Sequence, residues 1–249
     1  MSTTKSPVKI CDKHTGKMEG LRSISTSCLD NPFCQRNRTI KGAICKKCYA
    51  DTMMKMYKDL RSKCLENFKL LAYKILDDSE IPIIEDKIFR FESFGDVYNY
   101  IQLYNYVNIA RKNPDCRFTL WSKNYPLIYQ FFRDFECPEN FTMIMSSVKI
   151  NERYNLDALK STGHFKPGQL KVFTVFSLDY IKDHRDTVNI NCGSRSCFTC
   201  RCCYEKNSVE EVNEILKNEQ SAAEEYLSRT EEGFGDKCLE VAEELEEFI

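Results

Sequence analysis

Residues 87–96 read Lys-Ile-Phe-Arg-Phe-Glu-Ser-Phe-Gly-Asp, and residues 117–123 read Arg-Phe-Thr-Leu-Trp-Ser-Lys. In both, apolar side chains alternate with polar ones, the period-two pattern of a strand with two different faces. Between them, residues 97–112 place Ile101, Tyr104 and Val107 at helical spacing, and Asn113-Pro114-Asp115 stops the helix. A strand, a helix and a second strand within some 35 residues make one βαβ unit, and βαβ units build parallel sheets.

The same rhythm extends both ways. Residues 21–26 predict a short strand that ends in a cysteine-bearing loop. Residues 49–76 predict one helix, because Met53, Tyr57, Leu60, Cys64, Phe68, Leu71 and Ile75 form a single apolar stripe. On the other side, residues 125–135 predict a helix and 141–146 a strand. A polar stretch over 149–169 follows, then strands over 171–176 and 187–190. Five or six strands with about four intervening helices fall short of an eight-fold barrel. The expected class is therefore α/β, a partial (open) β/α barrel with Cys-rich metal-binding loops. The expected divisions are a leader and first strand (1–27), the partial barrel with its cysteine loop at 28–48 (28–190), a second cysteine motif (191–204) and an acidic helical tail (205–249). Active residues of such folds gather at the C-terminal ends of strands. The first cysteine loop, residues 92–96, 121–123 and 146–147 all lie at that end.

The chain has 249 residues, 42% of them hydrophobic and 12% aromatic, which excludes a disordered protein. The N-terminus shows no apolar signal segment, and no apolar run is long enough to cross a bilayer, so a soluble cytoplasmic protein is expected. Charge is uneven. Residues 205–249 contain 15 acids and 4 bases, whereas the rest contains 22 acids and 32 bases. A basic body suits an anionic partner such as nucleic acid, or a host protein; the acidic tail could mask it or bind a basic partner, or simply form a solvated helix.

Fourteen cysteines in a reducing compartment point away from disulfides. Cys64, Cys116, Cys137 and Cys238 are scattered and read as small core residues. The others cluster. Cys197, Cys200 and Cys203 form C-x2-C-x2-C, with Cys192 upstream, a spacing that wraps an iron–sulfur cluster or, alternatively, a tetrahedral zinc. Adjacent residues seldom face one metal, so Cys202 reads as a spectator, and Arg195 as a nearby counter-charge. Cys28, Cys34, Cys45 and Cys48 form a looser set beside a helix N-terminus. Three ligands there would leave one iron open, and four would close the site; zinc is again the rival. Trp121 and Lys123 suit stacking on a base and binding a phosphate or carboxylate, or else a core aromatic and a solvated lysine. His14, His164 and His184 lack ligand spacing and read as surface residues. No Walker A loop, dinucleotide fingerprint or serine-nucleophile elbow occurs.

The segments ICKKCYAD (44–51), RFESFGD (90–96) and RFTLWSK (117–123), followed by NCGSRSCFTC (191–200), resemble phage-encoded proteins related to the radical S-adenosylmethionine (SAM) superfamily, in particular the phage "gene 88" proteins. The resemblance covers most of residues 20–204, and the terminal cysteine motif is its most specific part. It implies a partial TIM barrel with a [4Fe–4S] cluster in the first loop. It also places Gly95 and Asp96 near the strand end that holds SAM's amino group, with Glu92 or Asp96 contacting a ligand ammonium. Here the usual C-x3-C-x2-C is a longer loop, and Lys47 replaces the aromatic residue before the last cysteine. Three functions follow as expectations: a radical-SAM-like enzyme, a non-catalytic binding protein with structural iron–sulfur or zinc centres, and an electron carrier.

Overall fold

The computed structural model describes residues 6–193, 195–216 and 219. Six strands lie side by side in chain order: β1 (Ser23–Ile24), β2 (Ile88–Phe91), β3 (Arg117–Ser122), β4 (Phe141–Ser146), β5 (Leu170–Phe176) and β6 (Glu211–Ile215). Every neighbouring pair is parallel, and the sheet is open, an arrangement compatible with a partial barrel. The helices are α1 (Pro32–Thr39), α2 (Tyr49–Met56), α3 (Lys58–Leu71), α4 (Tyr100–Lys112), α5 (Tyr125–Asp134), α6 (Asp157–Lys160), α7 (Leu178–Asp183) and α8 (Cys197–Cys200).

Alternation along the strands divides the sheet into two faces. Phe89 and Phe91 of β2, Phe118 and Leu120 of β3, and Met143 and Met145 of β4 pack with Leu103, Tyr106 and Val107 of α4 and with Ile128 and Phe131 of α5. That is the main core. Ile88, Trp121 and Phe173, of opposite parity, meet the C-terminal cysteine loop instead: Ile88 and Trp121 pack with Tyr204, and Phe173 with Cys202, Val209 and Val212. The loop is pinned by polar groups as well. Thr119 Oγ1 donates to the Cys203 carbonyl at 3.0 Å, and the buried Lys171 ammonium donates to Asn207 Oδ1 and to the Val209 carbonyl.

Four expectations are corrected. The predicted helix over 49–76 is two helices, because Tyr57 leaves helical geometry (φ −113°, ψ 100°) between α2 and α3. Residues 187–190 form no strand; Val188 and Ile190 pack with Phe176 and Ile215 beside β6. The sixth strand is Glu211–Ile215, inside the segment assigned to a helical tail, and Val212 and Ile215 bury its apolar face. His14 is not a surface residue: it is 7% exposed and its ring stacks on Phe94. Cys64, Cys116 and Cys137 are buried as expected. Cys238 and the tail beyond residue 219 lie outside the described residues. Among the described residues no helix is long and apolar enough to cross a membrane.

Candidate metal centres at the strand ends

The loop after β1 carries Cys28, then Asn31, whose side chain caps α1 by accepting from Phe33 N (2.9 Å) and Cys34 N (3.4 Å). The Asn31 amide also donates to the Asp96 carbonyl at 2.8 Å, tying α1 and its Cys34 to the end of β2. Cys45 lies in a 3₁₀ turn, and Cys48 is the N-cap of α2. The four predicted thiols converge. Cys28 and Cys48 share a hydrogen bond, and Cys34 lies in the electrostatic reach of Cys45, Cys48 and Asp96.

Electrostatics distinguishes the four. The Cys28 thiol, the N–H groups of Asp51 and Ala50 at the start of α2, and the Arg38 guanidinium lower Cys48 to about 5. Burial pushes Cys34 up, and Asp96 and Glu92 add to this. Burial also raises Cys45, against the opposing Lys123 ammonium. Arg38 donates to Asp51 at 3.0 Å and stands 3.7 Å from Cys28 Sγ, so it is the permanent cation of the set. Cys11 and Cys64, a second hydrogen-bonded thiol pair, pack in the same cluster as Cys28 and Met54. Arg38 and the Cys11–Cys64 pair went unread in the sequence, because nothing in their spacing ties them to the other cysteines.

The strand-end residues predicted to bind a ligand divide into two kinds. Glu92 is consumed by the protein: Thr26 N, Thr26 Oγ1, Gln102 Nε2 and Tyr106 Oη all donate to its carboxylate, at 2.5–3.0 Å. Burial raises it to about 7, with those donors opposing the shift. Gly95 lies against it, and a β-carbon there would stand 2.5 Å from Glu92 Oε2 and 2.6 Å from Thr26 O. Asp96 accepts from Ser122 Oγ (2.6 Å), Lys123 N (3.0 Å) and Val97 N (2.8 Å). Lys123 is half-buried, and its ammonium donates to Ser146 Oγ at 3.1 Å. Asp96 and Lys123 thus border Cys34 and Cys45, while Trp121 belongs with the second set of thiols.

In that second set, Cys203 lies in the electrostatic reach of Cys192, Cys197 and Cys200. Burial raises Cys203 well above the usual thiol range and Cys192 to about 12. Cys202 is buried against Val209 and Val212, with Cys192, Cys200 and Cys203 packed beside it. Cations beside these thiols include Lys17, 4.0 Å from Cys192 Sγ and paired with Glu214 at 2.5 Å, Arg90, which opposes the burial shift of Cys197, and Lys171, which opposes that of Cys203. Arg195 is exposed. Among the described residues, no three His, Cys, Asp or Glu side chains are grouped tightly enough to hold a single metal ion. The thiols are neighbours without forming a closed site.

A family model described as gene product 88 matches residues 9–200, about three-quarters of the chain. The chain belongs to the gene product 88 family. Its matched segment takes in both cysteine loops up to Cys200, and β1 to β5 with the helices between them. Curated proteins and solved structures give no match.

Proposed function

We propose that this gene product 88 protein is an iron–sulfur protein with radical-SAM-like activity, the reductive cleavage of SAM. One observation carries the reading: Cys28, Cys34, Cys45 and Cys48 come together beside Asp96 and Lys123 at the C-terminal ends of parallel strands, where β/α folds build active sites. The donor set fits such a group, being four neighbouring thiols, one of them acidified by its surroundings, with Arg38 to offset negative charge. Three of Cys28, Cys34, Cys45 and Cys48 would hold one [4Fe–4S] cluster and leave one iron open, and Cys192, Cys197, Cys200 and Cys203 would hold a second. Bound clusters supply one-electron chemistry at low potential. The chain's own part is to position the reactant. The Lys123 ammonium, steered by Ser146, meets a carboxylate or phosphate, and Asp96 fixes the backbone of Lys123 while facing a ligand ammonium.

A second reading has its own support. Glu92, which the resemblance places near SAM's amino group, already has four protein donors. That suits structural iron–sulfur or zinc centres in a non-catalytic protein whose basic body binds nucleic acid or a host protein. Any test of masking by the acidic tail should remove only residues 220–249, because cutting nearer Tyr204 would delete β6.

Metal content decides between them. Anaerobic purification should give a brown protein with a band near 400 nm and roughly eight irons for two cubanes. A colourless protein carrying zinc overturns the iron–sulfur reading. With iron present, adding SAM to the reduced protein should perturb its EPR signal and yield 5′-deoxyadenosine. Absence of both leaves the non-catalytic reading.

A further inference from the structure

Arg90 sits on the sheet face that the C-terminal loop covers, and its guanidinium lies 3.9 Å over the Trp121 ring. A half-buried cation of this kind normally has a carboxylate. The groups that act most strongly on Arg90 are instead Tyr204, Tyr49, Cys197 and Cys203, and its Nη1 meets only the weakly accepting Met18 sulfur at 3.2 Å. Among the described residues, its Nε is buried without a hydrogen-bond partner.

Three neighbours share that condition. His14 is tied to this face through Nε2, 3.0 Å from Ser23 Oγ, and Ser23 is the register partner of Arg90. Its other ring nitrogen, Nδ1, is buried and unpartnered. Ser93 is 3% exposed; its N–H donates to Ser25 Oγ, which lies 3.2 Å from Ser23 Oγ, yet its own hydroxyl has no partner. Tyr204, 2% exposed and packed on Trp121, keeps its hydroxyl in reach of the Arg90 guanidinium, with no well-aligned partner among the described residues. Buried polar atoms are nearly always satisfied, and several orphans around one cation mark a place shaped for a ligand. Serving as counter-charge to the Cys197 and Cys203 thiolates would account for Arg90. It would not account for His14 and Ser93.

We propose that Arg90, with His14, Ser93 and Tyr204, forms an oxyanion-binding site between the two cysteine sets, which takes the carboxylate or phosphate group of a small ligand. The guanidinium fork supplies two directed donors, and Ser93 and Tyr204 supply hydroxyls. This site does not depend on the identity of the metal.

Trp121 is the only tryptophan and lies under the guanidinium, so its fluorescence reports the site directly. The full chain, as purified with its metal, is titrated with inorganic phosphate and separately with acetate, against chloride at matched ionic strength. A saturable change in one or both arms is expected, and the stronger arm identifies phosphate or carboxylate as the group recognised. Arg90→Gln should weaken it by about tenfold or more, the effect of losing a charge-assisted pair. Ser93→Ala should weaken it by a smaller factor; since that hydroxyl has no partner among the described residues, this variant keeps the fold and decides the matter if Arg90→Gln does not fold. A response no different from chloride overturns the proposal, as does saturation unchanged in both variants. Loss of metal from Arg90→Gln with no anion response makes Arg90 a thiolate counter-charge and overturns it too. A zinc-loaded or metal-free preparation would reject the iron–sulfur reading while leaving this titration meaningful.

Discussion

Glu92 shows how burial and hydrogen bonding compete at one side chain. Its backbone is left-handed (φ 60°), its carboxylate is 2% exposed, and four donors converge on it. The donors favour the carboxylate, but burial wins and the group rises to about 7. The folded state therefore holds a proton that the unfolded chain releases near its ordinary value of 4.5. Stability from this group is full below the unfolded value, declines as pH rises toward 7, and is then constant, a change of about 3 kcal/mol. Glu92→Gln removes the titration but leaves an amide that cannot accept from every donor, so it should be destabilising at about pH 5 and the deficit should shrink by about pH 8. Urea midpoints at both pH values measure this; an unchanged deficit would mean that the donors keep Glu92 ionised throughout. Gly95 belongs to the same knot. Because its absent β-carbon would collide with Glu92 Oε2 and the Thr26 carbonyl, Gly95→Ala should cost about 1–3 kcal/mol. A thermal melt reads the loss, and an unchanged midpoint would show that the β2–α4 loop gives way freely.

Among the elements, those built on apolar periodicity were legible in the sequence and those built on polar contacts were not. The alternation at 87–94, 117–121, 141–146 and 171–176 marked four strands because each faces a different apolar layer on its two sides. β6 was hidden because Glu211 and Glu214 made it look like part of the acidic tail. In the fold these carboxylates pair with Arg153 (2.8 Å) and Lys17 (2.5 Å), partners 58 and 197 residues distant in sequence, which no local pattern reveals. The candidate site divides the same way. Cysteine spacing indicated the thiols, whereas Arg38, Arg90 and His14 join them only through tertiary contacts. α1 is the clearest such case: PFCQRNRT has almost no apolar face, and the helix is held by its Asn31 cap. Asn31 links that cap to the Asp96 carbonyl, so Asn31→Ala should cost about 1–2 kcal/mol and also loosen Cys34. Denaturation together with metal content tests this. A normal metal load with reduced stability would mean that α1 holds its position through packing of Phe33.

At the scale of the whole molecule, the two cysteine sets stand in different relations to folding. The first lies at the strand ends, beyond a core already closed by α4 and α5. The second lies in a loop that is itself the cover of the opposite sheet face, packed over Ile88, Trp121 and Phe173, and it leads directly into β6. Ligands that knit this loop together therefore add to global stability, because a metal that binds only the folded arrangement transfers its binding energy to the fold. Replacing Cys197 and Cys200 with Ala should remove one centre, expose Trp121 with a red shift of its fluorescence, and lower the melting temperature by loosening β6. Replacing Cys45 and Cys48 with Ala should remove the other centre while leaving Trp121 fluorescence near that of the parent chain, since Trp121 packs on Tyr204 and Arg90 and not on that loop. Metal analysis and emission spectra of the two double variants measure both effects. If either variant loses all its metal, the two loops build one shared centre, and the division of labour between strand ends and sheet face is wrong.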